Sequence, residues 1–300
     1  MSPLKRNQKR LSATRMDRLM TGVFYGVGGF FLLLLLFLAG YILFKGVRDF
    51  YPELLEFGSK GIGNQLFNTI YLVFLALLIS VPLGVAAGIY MAEYAKQGKI
   101  TRFIRVSIET LSSLPSIVVG LFGYLVFILM TGARWNLMAG AMAVSILSLP
   151  LVTTTTEDAL RSLPKVYKQG SMGLGATQWQ TILHVLLPAC LPRIITGVIL
   201  AAGRGFGEAA ALLYTAGQST NINWSNWNLA SPTCPLNPFR PGETLALHIW
   251  AMRTEGSLNP NASAIANFSA AVLVILVFGF SIAARLLSRH FDKKTGGEKG

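Results

Sequence analysis

Six stretches of roughly twenty mostly apolar residues dominate this chain, and each is long enough to cross a bilayer as a helix. A helix rises about 1.5 Å per residue, and a hydrocarbon core is about 30 Å thick. The stretches are Val23–Phe44, Phe67–Ala92, Leu111–Met130, Leu137–Thr153, Ile194–Ala216 and Ala264–Ala284. The fourth is short, and Gly132 to Asn136 makes the turn before it. The composition agrees: 52% of the 300 residues are hydrophobic and 13% charged, where a soluble domain carries about a quarter charged residues. A soluble fold would leave much of that apolar sequence facing water. The expected fold is all-α, a polytopic transmembrane bundle of about six spans embedded in the lipid bilayer. The first stretch follows a basic segment, yet it is too long for a cleaved signal peptide. It reads as a retained first span.

The net charge of +13 raises the question of nucleic acid, but the basic residues form no stripe with interleaved aromatics. They cluster between the apolar runs. Nineteen of the 26 lysines and arginines lie in the N-terminal tail, Lys96–Arg105, Arg161–Arg193 and the tail from Arg285. The opposite set of segments, around Lys45–Lys60, Arg134 and Arg240–Arg253, holds six. Basic loops stay cytoplasmic, so both termini are expected inside and no nucleic-acid partner is expected. The expected organisation is a cytoplasmic tail (1–22), a membrane domain (23–287) and a second cytoplasmic tail (288–300). Within the membrane domain, loop 154–193 falls inside and loop 217–263 outside.

Catalytic chemistry finds little support. Cys190 and Cys234 flank a span and would fall on opposite sides of the bilayer, and no metal-ligand spacing is present. His184, His248 and His290 have no neighbouring carboxylate or cysteine in the sequence and read as loop residues. There is no Gly-rich phosphate loop ending in Lys-Ser/Thr. No catalytic residue, metal or cofactor is therefore expected, and the chain is not expected to hydrolyse ATP itself.

The cytoplasmic loop carries the clearest local signal. Thr177-Gln178-Trp179-Gln180 has the pattern of a capping box. Trp179, Ile182, Leu183 and Leu186 then recur at helical spacing, which predicts one apolar face. Gly175 permits a sharp turn before the cap, and Pro188 and Pro192 are expected to stop the helix. Such a helix can lie in the lipid interface or dock on a cytosolic partner. The residues alone leave both open.

Gly175 followed by Val185, Leu187 and Pro188 resembles the loop of ATP-binding-cassette (ABC) importer permeases. That loop reads Glu-Ala-Ala, three residues, Gly, nine residues, Ile, one residue, Leu-Pro. Here Gln169-Gly170-Ser171 replaces its acidic start. In that family the loop fits a cleft on the ATPase, so the resemblance implies a coupling role for Gly175, Thr177, Trp179, Leu187 and Pro188. Three further stretches resemble phosphate-importer permeases of the PstA type: Val81–Gly84 with Ile89–Ala95, Leu114–Tyr124, and Arg204–Glu208 with Ala209–Ala216. The resemblance implies import of inorganic phosphate. The partners implied are a second homologous permease (PstC-like), two copies of an ATP-binding subunit, and an external phosphate-binding protein. Rival readings are a permease for another oxyanion, such as molybdate or sulfate, and a stand-alone secondary transporter. The latter usually shows paired repeats, and no convincing pairing of segments occurs.

Arg204 lies within the fifth span, where an ionisable residue is costly unless paired or wetted. Glu208 follows four residues later, so one continuous helix would put both on one face, able to neutralise each other. An arginine fork suits tetrahedral oxyanions, which favours a translocation-path role for Arg204 and Glu208. The competing reading is a structural ion pair, with Gly203, Gly205 and Gly207 allowing close helix approach. Glu109 is expected at the start of the third span, and Pro82 and Pro115 are candidate kinks.

Overall fold

Whether a run of apolar residues becomes one helix or two depends on where its backbone amides find partners. The computed structural model describes residues 3–58, 61–96, 98–219, 221–256 and 260–295. Among the described residues all regular structure is helical. Helix α1 (Pro3–Arg48) is followed by α2 (Gly63–Ile89), which ends in a wide turn, Tyr90–Tyr94. Next come α3 (Lys99–Ser113) and α4 (Ser116–Gly123), the latter extended by Tyr124–Leu129. Helix α5 (Leu137–Arg161) leads into α6 (Lys165–Gly173) and α7 (Gln178–Thr181). The wide turn Ile182–Leu186 joins α7 to α8 (Leu187–Gly207), and α9 (Ala210–Thr215), α10 (Leu245–Thr254) and α11 (Ala262–Thr295) complete the chain. Among the described residues five helices are long and apolar enough to span a membrane, or six with the bent pair α3–α4 counted as one.

The centre is the packing of α5 between α2 and α8. A side chain on Gly84 would collide with Val152, and one on Gly88 with Thr156, so glycine is what lets α2 and α5 approach. Leu72, Leu137, Val144, Leu212 and Leu247 fill one buried cluster, and Leu160, Ile182, Leu186, Cys190 and Ile194 another. Helix α11 joins through Phe206 and Phe280, whose rings lie 5.3 Å apart. Helix α1 is exposed along its apolar run. It is held near its end, where Asn267 Nδ2 donates to Asp49 Oδ2 at 2.6 Å. In water such a helix could not stand, whereas in lipid its apolar surface is solvated.

Several expectations about the spans and loops need correction. The third stretch, Leu111–Met130, is no single helix: it breaks at Leu114–Pro115 and the two parts meet at 102°. Pro115 has no amide hydrogen and disfavours helical backbone in the residue before it, and Leu114 is extended with ψ 131°. Glu109 consequently lies near the C-terminal end of α3, not at a helix start. The fourth helix continues past Thr153 to Arg161. Thr154 and Thr155 return their hydroxyls to the carbonyls of Pro150 and Leu151, at 2.9 and 2.7 Å, so these polar groups are satisfied within the helix.

Pro188 and Pro192 do not stop the helix, since Gln178–Gly207 is one candidate span. The wide turn Ile182–Leu186 precedes Pro188, which stands in the first turn of α8 where an amide hydrogen is dispensable. The fifth span does not run on to Ala216, because it breaks at Glu208. Finally, segment 217–263 is not all loop: α10 is buried at Leu245 and Leu247 and packs beside α2 and α11.

The two ends of α2 label the two faces of the bundle. Its start meets α10 and segment 221–244. Its end meets α6 and α7, through Glu93. Helices α1 and α11 are joined where one finishes and the other begins. The start of α1 and the end of α11 therefore lie at the face that carries α3, α6 and α7.

Candidate functional site

The loop between α5 and α8 is held by a short set of specific bonds. Helix α6 ends in a Schellman motif: Ala176 N–H donates to Ser171 O at 3.2 Å and Gly175 N–H to Met172 O at 3.0 Å. Gly175 closes it in the left-handed region, with φ 90°. The expected capping box is present, with Gln180 N–H donating to Thr177 Oγ1 at 3.3 Å and Thr177 N–H donating to Gln180 Oε1 at 2.9 Å.

The apolar residues of this segment divide instead of sharing one face. Ile182 and Leu186 enter the core beside Leu160 and Cys190, whereas Trp179 and Leu183 point outward. Leu187 is half-buried against the same core, and Pro188 is half-buried beside it. Leu174, at the turn, is 92% exposed. Of the residues picked out in this loop, Gly175, Thr177 and Trp179 therefore form its outer tip with Leu174. Leu187 and Pro188 anchor its base.

Sequence reading overlooked the carboxylate that holds this loop. Lys168 Nζ lies 2.6 Å from Glu93 Oε2, and Gln178 Nε2 donates to Glu93 O at 2.9 Å. Glu93 thus ties α6 and α7 to the end of α2. Gln169 faces the adjoining cavity of about 520 Å³, together with Glu93 and Lys168, so an acid from α2 stands beside the position where the loop itself lacks one. Nearby, Glu157 on α5 is nearly buried and holds two arginines, Arg105 at 2.7 Å and Arg161 at 2.9 Å.

The expected pairing of Arg204 with Glu208 is not what the structure holds. Helix α8 ends at Gly207, and Glu208 turns extended with ψ 125°. The Glu208 side chain then accepts from Ala211 N–H at 3.0 Å, capping the start of α9. Glu208 is buried, while Arg204 is exposed and no ion pair joins them among the described residues. Arg204 belongs to an exposed stripe on α8 with Arg193, Thr196 and Leu200, at the spacing of one helix face.

At the opposite face, segment 221–244 is fastened over the helix ends by a polar cluster. Arg240 is fully buried and donates to Asn68 Oδ1 at 2.6 Å and to Pro235 O and Pro241 O, each at 3.2 Å. Burial pushes its guanidinium down to about 10, so it stays charged at neutral pH. The Glu243 carboxylate accepts from Gln65 Nε2 at 3.2 Å and lies 2.9 Å from His248 Nδ1. His248 is thus not a loop residue but a buried member of α10. The available signal was Thr244 followed by Leu245, Ala246 and Leu247, a helix start: Thr244 Oγ1 indeed accepts from Leu247 N–H.

The bundle thus presents an outward-turned loop tip, a broken fifth span and an arginine on the exposed stripe of a membrane-length helix. The model of the binding-protein-dependent transport system inner membrane component family matches residues 84–297. The chain belongs to that family. It is the non-catalytic, multi-pass permease subunit of an ABC importer of the inner membrane, and the stand-alone carrier reading is set aside. The permease is 48% identical over 285 residues to the probable ABC transporter permease protein YqgI of Bacillus subtilis (strain 168), covering 93% of this chain and 97% of that one. It is 34% identical over 229 residues to the phosphate transport system permease protein PstA of Xylella fastidiosa (strain 9a5c), covering 76% and 74%. Among solved structures, a bacterial alginate ABC transporter bound to its alginate-loaded periplasmic protein matches at TM-score 0.65 and 14% identity, over 93% and 96%. The inward-facing MetNI methionine ABC transporter matches at TM-score 0.57 and 19% identity, over 81% and 99%. At those identities the last two speak for the fold of the permease alone.

Proposed function

We propose that this permease imports inorganic phosphate, working with a second, PstC-like permease, two copies of an ATP-binding subunit and an external phosphate-binding protein. Both termini and the loop 162–177 are cytoplasmic, and segment 217–263 faces outside. The observation that carries the path is Arg204. A guanidinium on the exposed stripe of a spanning helix cannot rest in hydrocarbon without a cost of at least about 3 kcal/mol. That stripe therefore faces a partner subunit or water, and the second permease closes a polar route over it. Glu208 serves the route indirectly, by breaking the helix and fixing the start of α9. Relatives named PstA favour phosphate over another oxyanion, since an arginine fork accepts molybdate or sulfate as well.

Energy enters at the other end. The tip made by Leu174, Gly175, Thr177 and Trp179 docks in the ATPase, and Glu93 with Lys168 transmits its movement to α2. The tip residues are exposed and partly apolar, as a docking surface requires. The test is copurification with the adjacent ATPase followed by uptake of labelled phosphate into vesicles. ATP-dependent uptake that excess phosphate blocks, and that molybdate and sulfate leave intact, is the expected result. Uptake blocked by molybdate or sulfate but not by phosphate would reassign the substrate.

A further inference from the structure

Helix α3 has no role in the route or the coupling loop, yet it is the most amphipathic of the helices. The residues Ile104, Ile108 and Leu111 are half-buried, whereas Ile100 and Phe103 are each 72% exposed and Val106 is 53% exposed. Its angle of 102° to the α4 segment lays it close to the membrane plane when α4 spans. Beside it opens a cavity of about 570 Å³ lined by Ala95, Gly98, Thr101, Arg102, Arg105 and Arg161.

Charge in that cavity does not balance. Glu157 binds Arg105 and Arg161 together, and the Arg102 guanidinium makes no ion pair among the described residues. Three guanidiniums therefore line the cavity and no carboxylate does, and the one acid bonded behind it, Glu157, is shared by two of them. Glu109 lies further along α3, outside the cavity lining. The end of the bundle is the one that holds Lys168 and the loop tip, which the proposed orientation places inside the cell. Anionic lipid headgroups there attract basic segments by about 1 kcal/mol per residue.

We infer that α3 is an interfacial anchor that seats the phosphate of an anionic phospholipid from the cytoplasmic leaflet in the Arg102–Arg105–Arg161 cavity. Ile100, Phe103 and Val106 enter the acyl boundary beside it. The guanidinium forks recognise the phosphate oxygens, and the apolar row supplies the buried area that an interfacial helix needs. Because α3 is pinned to α5 through Arg105 and Glu157, a lipid in the cavity also steadies the joint at Pro115. This inference rests on the cytoplasmic placement of α3 but is independent of the transported substrate.

The experiment uses the assembled transporter in nanodiscs of phosphatidylcholine, with or without phosphatidylglycerol, and a Phe103→Trp probe. Brominated phosphatidylglycerol is expected to quench the fluorescence that Phe103→Trp adds to that of the native tryptophans. Arg102→Gln should weaken lipid retention, measured by native mass spectrometry, about fivefold, the effect of one charge. Arg102→Lys should retain most of it, and inorganic phosphate at millimolar concentration should displace none. Displacement by inorganic phosphate would show a free-anion site and overturn the lipid assignment. If the added fluorescence of the Phe103→Trp probe stays unquenched, a protein subunit covers α3, which overturns it too. Reading the side of α3 by cysteine labelling in the same nanodiscs separates a wrong orientation from a wrong ligand.

Discussion

Glu93 Oε2 and Lys168 Nζ lie 2.6 Å apart, joining the end of α2 to the loop that follows α5. Glu93 is nearly buried and Lys168 about a third exposed, so the bond is only partly screened. Its worth is on the order of 1 kcal/mol, the upper end for exposed pairs. Glu93→Gln is expected to leave insertion intact, lower uptake several-fold and leave more ATP hydrolysis unproductive. The double change Glu93→Lys with Lys168→Glu should recover much of the loss. Measuring hydrolysis per substrate molecule imported checks this, and unchanged stoichiometry in Glu93→Gln would remove Glu93 from the proposed coupling path.

Gly175 has φ 90° and open space where a side chain would stand. Substitution there costs backbone strain alone, about 1–2 kcal/mol for a β-carbon in the left-handed region. Gly175→Asn should transport nearly normally, Gly175→Ala less, and Gly175→Val least. Membrane levels should be equal across the three. Uptake and crosslinking of a cysteine at Gln178 to the ATPase read the series, and equal crosslinking in all variants would argue against the turn presenting the tip.

The break at Glu208 changes what mutation of Arg204 should do. Since no ion pair joins them, removing both charges is not expected to rescue. Arg204→Gln should abolish uptake, Arg204→Lys should retain a fraction, and Arg204→Gln with Glu208→Gln should behave like Arg204→Gln. Glu208→Gln alone keeps an oxygen for Ala211 N–H and should be mild, whereas Glu208→Ala loses the cap and about 1 kcal/mol. Near-normal uptake by the double variant would return the two residues to a structural pairing.

Arg240 donates to Asn68, Pro235 and Pro241 from a fully buried position. Arg240→Met fills the volume but orphans those acceptors, at about 1–3 kcal/mol for the leading one. Segment 221–244 should loosen from α2, and proteolysis within it should accelerate while the other end of the bundle stays resistant. Limited proteolysis from each side of oriented vesicles would show this. Equal protection in wild type and variant would mean the loop is held by its backbone bonds to Leu137 and Met138.

Fold class was legible because it depends on composition along the chain: apolar runs of spanning length have only helices as a solution in lipid. The capping box at Thr177 and the sharp turn at Gly175 were legible as well, since each is a bond or conformation among residues within one or two turns. What local pattern could not show was where a helix breaks or continues. Pro115 breaks one, while Pro188 is absorbed by the wide turn Ile182–Leu186. Helix α5 runs on through Thr154 and Thr155, while α8 ends at Glu208. Each outcome turns on whether freed backbone groups find other partners, which the neighbourhood decides.

By itself the sequence determined that this protein spans the membrane, which segments are basic, and where the helix capped by Thr177 begins, because hydrophobicity, charge and capping are local properties. Only the tertiary structure decided that Glu93 meets Lys168 across 75 positions, that His248 finds Glu243 in a buried cluster, and that Arg204 and Glu208 part company. Those pairings arise from helices brought together by glycine-lined contacts such as Gly84 on Val152 and Gly88 on Thr156, and separation along the chain holds no record of them.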